Sequence, residues 1–456
     1  DWWLCDSPDV VNAEELLVPA GVDAQEVDDL ASSRYSVLRT ERINPTAISL
    51  VVDATWLGPY QTGAQVLTTA AVEALATNSR ITHLSLVGID SLPDYASHLE
   101  EFDAVSLSSG ITEPADAIWY PNQIDQRVDM SEARTMGRRV IATYLDLIAY
   151  DIPRYHASPE AWSAYRALQR RIALSVDGIT TISADVASRL TDEVPRLETQ
   201  RVRPIPLGLD HIAGHSPGTA GGYPELENRL AGRPCLLVLG NDFQHKNRDF
   251  AIRVWERILK EGVNCELVLA GLHVKSSSSK QAEDVLLDQH TNLRGSAHVL
   301  GHVSEDEREW LLTNAAAALY PSSAEGFGFV PYEAAALGTP TSFTAFGPLR
   351  EISGLSDVPS RWSVAEHAAD VVRLLRDPES ARRRVNQLRE AIARSTWKNF
   401  SDRLIDFIIT IDQLPPVEAA LVGGTAADAS ALASVLSSRT WRATAPLRKI
   451  GRRFKR

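Results

Sequence analysis

The chain has 456 residues, 44% of them hydrophobic, and a formal net charge of −13. This length is enough for two or three domains of about 100–200 residues each, and the composition is that of a globular protein. The acidic balance argues against a nucleic-acid-binding protein, because contacts with a phosphate backbone require a basic surface. No apolar run reaches the roughly 18 residues of a membrane span, and no signal-peptide pattern is present. We therefore expect a soluble, cytoplasmic protein with no nucleic-acid partner.

Residues 1–45 form an acidic extension. The first thirty residues hold nine acids and no Lys or Arg, and the chain begins with Asp1 rather than with methionine. A remnant of a preceding domain would look like this, and so would a processed N-terminus.

From residue 47 onward, short apolar runs alternate with helical patterns. We predict strands in the first half at residues 47–53, 81–87, 117–120, 139–145, 178–182 and 202–205. We predict helices between them at residues 64–76, 159–173 and 184–190. Alternating strands and helices indicate an α/β fold with a mainly parallel sheet. We assign this first domain to residues 46–210.

A Gly- and Pro-rich linker at residues 211–232 separates the first domain from a second domain at residues 233–395. The alternation repeats there, with predicted strands at residues 235–240, 266–270, 298–301, 316–320 and 341–343. Helices are predicted at residues 332–337, 364–375 and 379–394, followed by a last helix at 396–412.

Three cysteines are present, and they form no Cys-x-x-Cys pair. Cys235 and Cys265 lie within apolar strand patterns, whereas Cys5 lies in the acidic extension. The simplest interpretation is buried thiols in a reducing compartment.

Residues 413–456 form an Ala/Ser-rich linker that leads into a basic tail. Residues 439–456 carry eight cationic side chains and no acid, interleaved with apolar residues such as Trp441 and Phe454. This composition is typical of an amphipathic helix on an anionic membrane surface, where each cation contributes about 1 kcal/mol. A solvated tail or a junction to another domain would have the same composition, so both interpretations stay open.

The most informative segment has the sequence AEGFGFVPYEA at residues 324–334, where Glu325 and Glu333 bracket a glycine loop. A buried strand precedes the loop and a helix follows it, with Pro331 at its first position. Glycines let a ligand approach the backbone, and the N–H groups at a helix start suit a diphosphate. The two carboxylates can accept hydrogen bonds from hydroxyl groups at both ends of one elongated ligand, with a hexose at Glu325 and a ribose at Glu333. Alternatively, Glu325 only stabilises the helix dipole.

A lysine follows the first strand of the second domain, in the sequence LVLGNDFQHKN at residues 237–247. Transfer of a sugar from a nucleotide diphosphate develops negative charge on the leaving phosphate, which a fixed cation would stabilise. Lys246, which we place near a helix start at Asn247, would point into the carboxyl edge of the sheet, where ligands bind in such folds. A solvated surface lysine is the alternative. No Asp-x-Asp motif or metal-ligand spacing is present, so we expect a metal-independent mechanism.

Taken in order, these segments resemble the retaining glycosyltransferases of family 4, which have the GT-B architecture. That architecture is α/β, with two facing Rossmann-like domains, parallel sheets and an interdomain cleft. Glu325 and Glu333 match the paired-glutamate motif and Lys246 matches the phosphate-binding lysine. The sequence LGHVS at residues 300–304 resembles the base-binding turn, and the resemblance covers roughly residues 47–412.

The resemblance implies a set of site residues. The catalytic residues it implies are Glu325, Lys246 and Asp146. The donor-binding residues it implies are Gly63, Gly240, Asn241, Lys246, His302, Val303, Gly326, Phe327, Gly328, Phe329 and Glu333. It further implies that no cofactor is needed beyond the donor, a GDP, UDP or TDP sugar. The implied acceptor is a glycan or lipid-linked saccharide in cell-surface polysaccharide synthesis, at the inner face of the plasma membrane.

Two residues depart from the family pattern. Asn241 stands where many relatives carry arginine, and Leu145 stands where a histidine often lies. His245 or Arg248 could supply the missing cation. These departures keep a second hypothesis open, a catalytically silent GT-B module that binds a sugar nucleotide or scaffolds a larger synthase.

Two further positions in the first domain are matched less specifically. Asp146 either orients the acceptor hydroxyl or caps the turn that follows it. Gly58, Thr62 and Gly63 match a glycine loop that closes under the donor diphosphate, although a simple glycine turn would look the same.

Overall fold

A computed structural model describes residues 42–59, 63–108, 113–124, 130–213, 224–230, 232–289 and 294–417. Most of the acidic extension, Thr62 and the whole basic tail lie outside the described residues. Within them, no helix is both long enough and apolar enough to cross a membrane.

The first domain contains a seven-stranded parallel sheet of order β3-β2-β1-β4-β5-β6-β7. Its strands are β1 Ile48–Asp53, β2 Ile81–Val87, β3 Val105–Leu107, β4 Ala117–Tyr120, β5 Val140–Tyr144, β6 Gly178–Thr181 and β7 Val202–Pro204. The central strands β4, β5 and β6 are buried along their whole length, as expected for a parallel sheet covered on both faces. Six of these strands were predicted. The short edge strand β3 was missed because its three half-buried residues give little apolar signal.

Helices cover this sheet on both sides. The α-helices of the first domain are Gly63–Ala76, Met130–Met136, Ile148–Asp151, Pro159–Ser175, Ala184–Glu193 and Asp210–Ala213. Short 3-10 helices lie at Asp94–Glu101, Pro153–Tyr155 and Thr199–Arg201. Ser158 and Ser183 cap the helices that follow them by accepting N–H groups of the first turn.

The second domain contains a five-stranded parallel sheet of order β10-β9-β8-β11-β12. Its strands are β8 Cys235–Leu239, β9 Glu266–Ala270, β10 Ala297–Leu300, β11 Ala317–Tyr320 and β12 Thr341–Phe343. Its α-helices are Pro224–Leu230, Arg248–Lys260, Lys280–Gln289, Glu305–Asn314, Val330–Ala336, Gly347–Ser353, Val364–Arg376 and Pro378–Arg394, with 3-10 helices at Gln244–Lys246 and Arg294–Ser296. The segment predicted as a linker therefore includes the helix Pro224–Leu230.

Both sheets have a central first strand whose neighbours run to opposite sides. Strand β1 lies between β2 and β4, and β8 lies between β9 and β11. The chain connections that follow two such neighbouring strands run to opposite sides of the sheet, and this leaves a crevice at the carboxyl ends of the two strands. The lysine loop after β8 and the glycine loop after β11 therefore lie beside each other.

The two cysteines of the second domain behave as predicted from their apolar surroundings. Cys235 begins β8 and Cys265 precedes β9, and both are free and buried. Burial raises the pKa of Cys235 to about 11 and that of Cys265 to about 12. Both thiols therefore stay protonated near neutral pH and serve as core residues.

The last described helix, Trp397–Gln413, returns to pack against the first domain. Its apolar face joins a core cluster that also contains Leu67 of the first domain and Leu388 of the second. At its end the buried carboxylate of Asp412 accepts hydrogen bonds from Arg139 Nε at 3.2 Å and from Ile43 N at 3.0 Å. This contact fixes the end of the helix onto the first sheet.

Asp412→Ala should lower the free energy of unfolding by about 3 kcal/mol, because it leaves the buried Arg139 guanidinium without one of its partners. The matched control is Asp406→Ala on the same helix, whose exposed carboxylate pairs with Arg80 at 2.6 Å. Loss of that surface pair should cost less than about 1 kcal/mol. Urea unfolding measures both values, and equal losses in the two variants would contradict the role given to Asp412.

Candidate functional site

The lysine loop is held in place by a buried aspartate. Asp242 is 2% exposed and accepts hydrogen bonds from Val274 N at 2.7 Å and Ser278 Oγ at 2.8 Å. The chain then forms the turn Gln244–Lys246 and passes through Asn247 in the left-handed region at φ 52°. The helix begins at Arg248, one residue later than predicted. This geometry places Lys246 beside the end of β11.

Glu325 lies in the loop after β11, and its carboxylate is 8% exposed. Three donors converge on one oxygen, Oε1: Lys246 Nζ at 2.6 Å and the hydroxyls of Tyr320 and Ser322. The second oxygen, Oε2, has no hydrogen-bond donor within the part of the chain that the structure describes. Glu325 therefore has one fully occupied oxygen and one oxygen left to accept a ligand.

The protonation state of Glu325 follows from two opposing effects. Burial raises the pKa of this carboxyl, but the charge and hydrogen bond of Lys246 lower it, and the hydroxyls of Ser322 and Tyr320 lower it further. The net pKa lies below the ordinary value, so the group is ionised at neutral pH. A buried, ionised acceptor beside a lysine is consistent with a binding role rather than a surface cap.

Neither proposed substitute for the missing arginine is available as a cation. Arg248 is 2% exposed and pairs with Glu283 at 3.2 Å, while its Nη1 donates to Gly240 O. Burial, together with the charge of Lys246, lowers the pKa of His245 to about 4, so its imidazole is neutral at neutral pH. This arrangement does not favour the suggestion that either residue supplies a phosphate cation, which stays a prediction.

The glycine loop faces the first domain. A Cβ on Gly326 would lie 1.9 Å from the carbonyl oxygen of Leu145, so this glycine makes room for the opposite domain, and its contact with a ligand stays a prediction. Gly328 is required because its φ is 88° and a side chain would meet Leu349. Phe329 lies against Gly63, whose Cβ would be 3.7 Å from the phenylalanine ring.

The helix after the loop, Val330–Ala336, begins two residues earlier than predicted, so Pro331 is its second residue and not its first. Glu333 lies in its first turn with a half-buried carboxylate, and Oε2 is 2.5 Å from Arg308 Nη2. The two groups are not aligned as a hydrogen bond, so the contact is an ion pair. The nearby negative charge of Glu333 raises the pKa of the Arg308 guanidinium above its ordinary value. Glu333 is thus oriented by a residue that the sequence did not single out.

The other predicted residues lie at the same edge of the sheets but in different environments. Gly240 and Asn241 follow β8, where Gly271 packs against them so tightly that a Cβ on it would lie 2.1 Å from Gly240 O. His302 is exposed after β10, whereas the side chain of Val303 is buried in the core. The side chain of Phe327 is also buried and packs against Phe329, with ring centroids 5.0 Å apart.

Asp146 ends the corresponding edge of the first domain. It is half-buried, and its Oδ1 accepts the N–H of Ile148 at 2.8 Å, so it caps the following turn. Burial raises the pKa of Asp146, the Ile148 N–H lowers it, and the charges of Glu325 and Lys246 act in opposite directions, with a raised pKa as the result. The preceding residue, Leu145, has its carbonyl oxygen against Gly326, so Asp146 lies close to the loop that carries Glu325.

Further contacts close the two domains on each other. The hydroxyl of Tyr155 contacts His245 Nδ1, and its ring lies 5.4 Å from that of Phe243. The carboxylate of Glu351 accepts a hydrogen bond from the N–H of Ala184 at 2.8 Å, so a residue of the second domain caps a helix of the first domain. These contacts, like those of Tyr320 and Ser322, carry no local sequence signal and were not predicted.

Among the described residues, no group of three or more His, Cys, Asp or Glu side chains could hold a metal ion. A groove of about 710 Å³ opens beside the lysine loop and is lined by Arg154 of the first domain and by Gln244, Arg253 and Ser278 of the second. At Glu325 itself, the groups that a ligand could contact are the ammonium of Lys246, the free carboxylate oxygen and the neighbouring hydroxyls.

The second domain and the overall fold are similar to those of known proteins. Residues 226–391 match the family described as Glycosyl transferases group 1. HepE of Anabaena in complex with UDP and glucose has a TM-score of 0.57 at 14% identity, covering 79% of this chain and 98% of that chain. The chain has the GT-B fold, and its second domain is similar to the group 1 glycosyltransferases over the matched residues. Assignment to family 4 in particular stays a prediction.

Two curated relatives share part of this GT-B chain. Glycogen synthase of Mycobacterium tuberculosis is 34% identical over 165 residues, which is 34% of this chain and 37% of that protein. The MMP alpha-(1->4)-mannosyltransferase of Mycolicibacterium hassiacum is 24% identical over 250 residues, 54% of this chain and 56% of that protein. The chain thus spans between about a third and just over half of the length of these relatives.

Gly326→Ala tests the contact between the GT-B domains. The added methyl group would overlap the Leu145 carbonyl, so the free energy of unfolding should fall by about 1–3 kcal/mol. If the domains part instead, the radius of gyration from small-angle X-ray scattering should increase. The control is Gly295→Ala, where a Cβ meets nothing within 4 Å and φ is not positive. A Gly326 variant that matches this control in both measurements would contradict the closed contact.

Proposed function

We propose that the chain is a retaining glycosyltransferase that moves a hexose or deoxyhexose from a nucleotide-diphosphate sugar to a hydroxyl group of a glycan or lipid-linked saccharide. The observation that carries this proposal is the position of Lys246 and Glu325 at the switch point of a group 1 domain. Cell-surface polysaccharide synthesis is the proposed setting.

The geometry supports distinct roles for the two groups. Lys246 is 20% exposed at its side chain, so its ammonium can leave Glu325 and neutralise charge on the diphosphate. Glu325 Oε2 would then accept a hydroxyl of the donor sugar. Backbone N–H groups at the start of the helix Val330–Ala336 would add to the stabilisation of the phosphate. We propose that this lysine and these amides replace a divalent cation, and that Asp146 orients the acceptor.

The nucleoside would lie farther along the same helix. Glu333 would accept the ribose hydroxyls while Arg308 holds its other side. Gly301 and His302, exposed after β10, would contact the base. The nucleotide complexed with HepE supports a UDP-type donor, and GDP and TDP sugars fit the same scheme.

A panel of UDP, GDP, TDP and ADP sugars tests the proposal. The chain should release the nucleotide slowly from one of them, and Glu325→Gln should lower kcat by about 100-fold because it removes a charged acceptor at the reacting sugar. The control Glu379→Gln, whose side chain is 78% exposed, should be fully active. Equal thermal midpoints for all three proteins would show that the loss is not unfolding. Release by Glu325→Gln at the wild-type rate would contradict the assigned role.

A catalytically silent module is the second candidate, because the loop offers one cation to a diphosphate where many relatives have two. Arg248 pairs with Glu283 and the imidazole of His245 is neutral, so Lys246, which contacts Glu325, is the cation that remains in this loop. In that case a nucleotide sugar should raise the thermal midpoint without nucleotide release. A ligand at a hundred times its Kd adds about 2.7 kcal/mol to stability.

We also propose that the basic tail at residues 439–456 holds the protein on an anionic membrane surface. Deletion of these residues should reduce co-sedimentation with anionic liposomes, and added salt should reduce binding of the full chain. Neutral liposomes are the control. Unchanged sedimentation after the deletion would exclude a membrane role for the tail.

A further inference from the structure

A tyrosine hydroxyl lies between the two charged groups of the proposed donor site. Tyr320 is the last residue of β11 and is 3% exposed. Its hydroxyl donates to Glu325 Oε1 and accepts a hydrogen bond from Lys246 Nζ at 3.3 Å. The same ammonium lies 5.4 Å from the centroid of the Tyr320 ring, within the range of a cation–π contact. One side chain therefore contacts both groups.

The donors that meet at Oε1 differ in how firmly they are held. Lys246 reaches the oxygen on a flexible, partly exposed chain, whereas the ring of Tyr320 is packed in the main core cluster. Ser322 is fully buried in the loop that carries Glu325. When a diphosphate attracts the lysine, the ammonium can leave Oε1, but the two hydroxyls cannot move with it.

We propose that Tyr320 is a positioning residue of the donor site: its hydroxyl holds Glu325 Oε1 after Lys246 has turned to the phosphate, so that Oε2 stays directed at the sugar. This inference rests on the proposed function. It assigns a role to a residue at a strand end, where the sequence pattern shows only a buried aromatic side chain. Ser322 assists from the same side of the carboxylate.

The hydroxyl keeps its proton in this position. Burial raises the pKa of Tyr320 well above its ordinary value, and the adjacent negative charge of Glu325 raises it further. Its hydrogen bond is one of the contacts that lower the pKa of Glu325. Loss of the hydroxyl should therefore raise the pKa of the Glu325 carboxyl, and the carboxylate should become protonated at a higher pH than in the wild type.

Tyr320→Phe should lower kcat/KM for the donor about 10- to 100-fold, because a hydrogen bond to a charged group is lost while the ring stays in place. The acidic limb of the pH profile of kcat/KM should move to higher pH, and Ser322→Ala should move it in the same direction. The matched control is Tyr150→Phe, which also removes a tyrosine-to-glutamate hydrogen bond, 3.1 Å long, to Glu193. It should change kcat/KM less than about twofold and leave the limb in place.

A second measurement separates this inference from the proposed function. Carbon-13 label at the side-chain carboxyl of glutamate reports each titration by NMR, and the Glu325 signal is the one that Glu325→Gln removes. Its midpoint should be higher in Tyr320→Phe than in the wild type. If the wild type releases no nucleotide from any sugar, the proposed function fails while this titration still tests Tyr320. If the wild type is active but neither the limb nor the midpoint moves, Tyr320 is not a positioning residue.

Discussion

The contact between Lys246 and Glu325 is the interaction on which the candidate site depends. A buried carboxylate is costly unless its charge is paired and its oxygens accept hydrogen bonds. Here the loop after β8 supplies the ammonium, and β11 with its loop supplies two hydroxyls, all to the same oxygen. Because β8 and β11 are neighbours at the reversal of strand order, parallel-sheet topology alone brings these donors within reach. The other oxygen accepts no hydrogen bond from the described residues, and in the proposed function it would accept one from the donor sugar.

The ion pair between Lys246 and Glu325 lies where the two domains contact each other. Leu145 O lies in the space that a side chain on Gly326 would fill, and Glu351 caps a helix of the opposite domain. In the proposed function, a nucleotide sugar would reach Glu325 once the domains part near these contacts. In the closed state without a donor, the lysine satisfies the glutamate. In the proposed function a diphosphate would draw Lys246 away, and the Glu325 carboxylate would keep the hydrogen bonds of Tyr320 and Ser322.

Much of this arrangement was predictable from the sequence. Buried strands, the boundaries of the predicted helices to within three residues, and the pairing of a lysine loop with a glycine loop all follow from local patterns that parallel topology brings together. The partners were not predictable. Arg308 contacts Glu333, and Tyr155 contacts His245, across long sequence separations that only tertiary packing determines. The approach of Leu145 to Gly326 was not predictable for the same reason, since a glycine pattern does not show which neighbour occupies the space.

The departures from the family pattern have a physical consequence for the donor. Asn241 carries no charge, Arg248 is used by Glu283 inside the second domain, and the imidazole of His245 is neutral because it is buried beside Lys246. A diphosphate at this edge would therefore meet Lys246 as the cation that the loop after β8 supplies, together with the N–H groups at the start of the helix Val330–Ala336. In the proposed function, a loop with one cation would stabilise less phosphate charge than a loop with two, and contacts with the sugar would contribute more of the binding. In the proposed function, the hydroxyls of Tyr320 and Ser322 would therefore hold Glu325 in the loop after β11 while Lys246, in the loop after β8, moves to the phosphate.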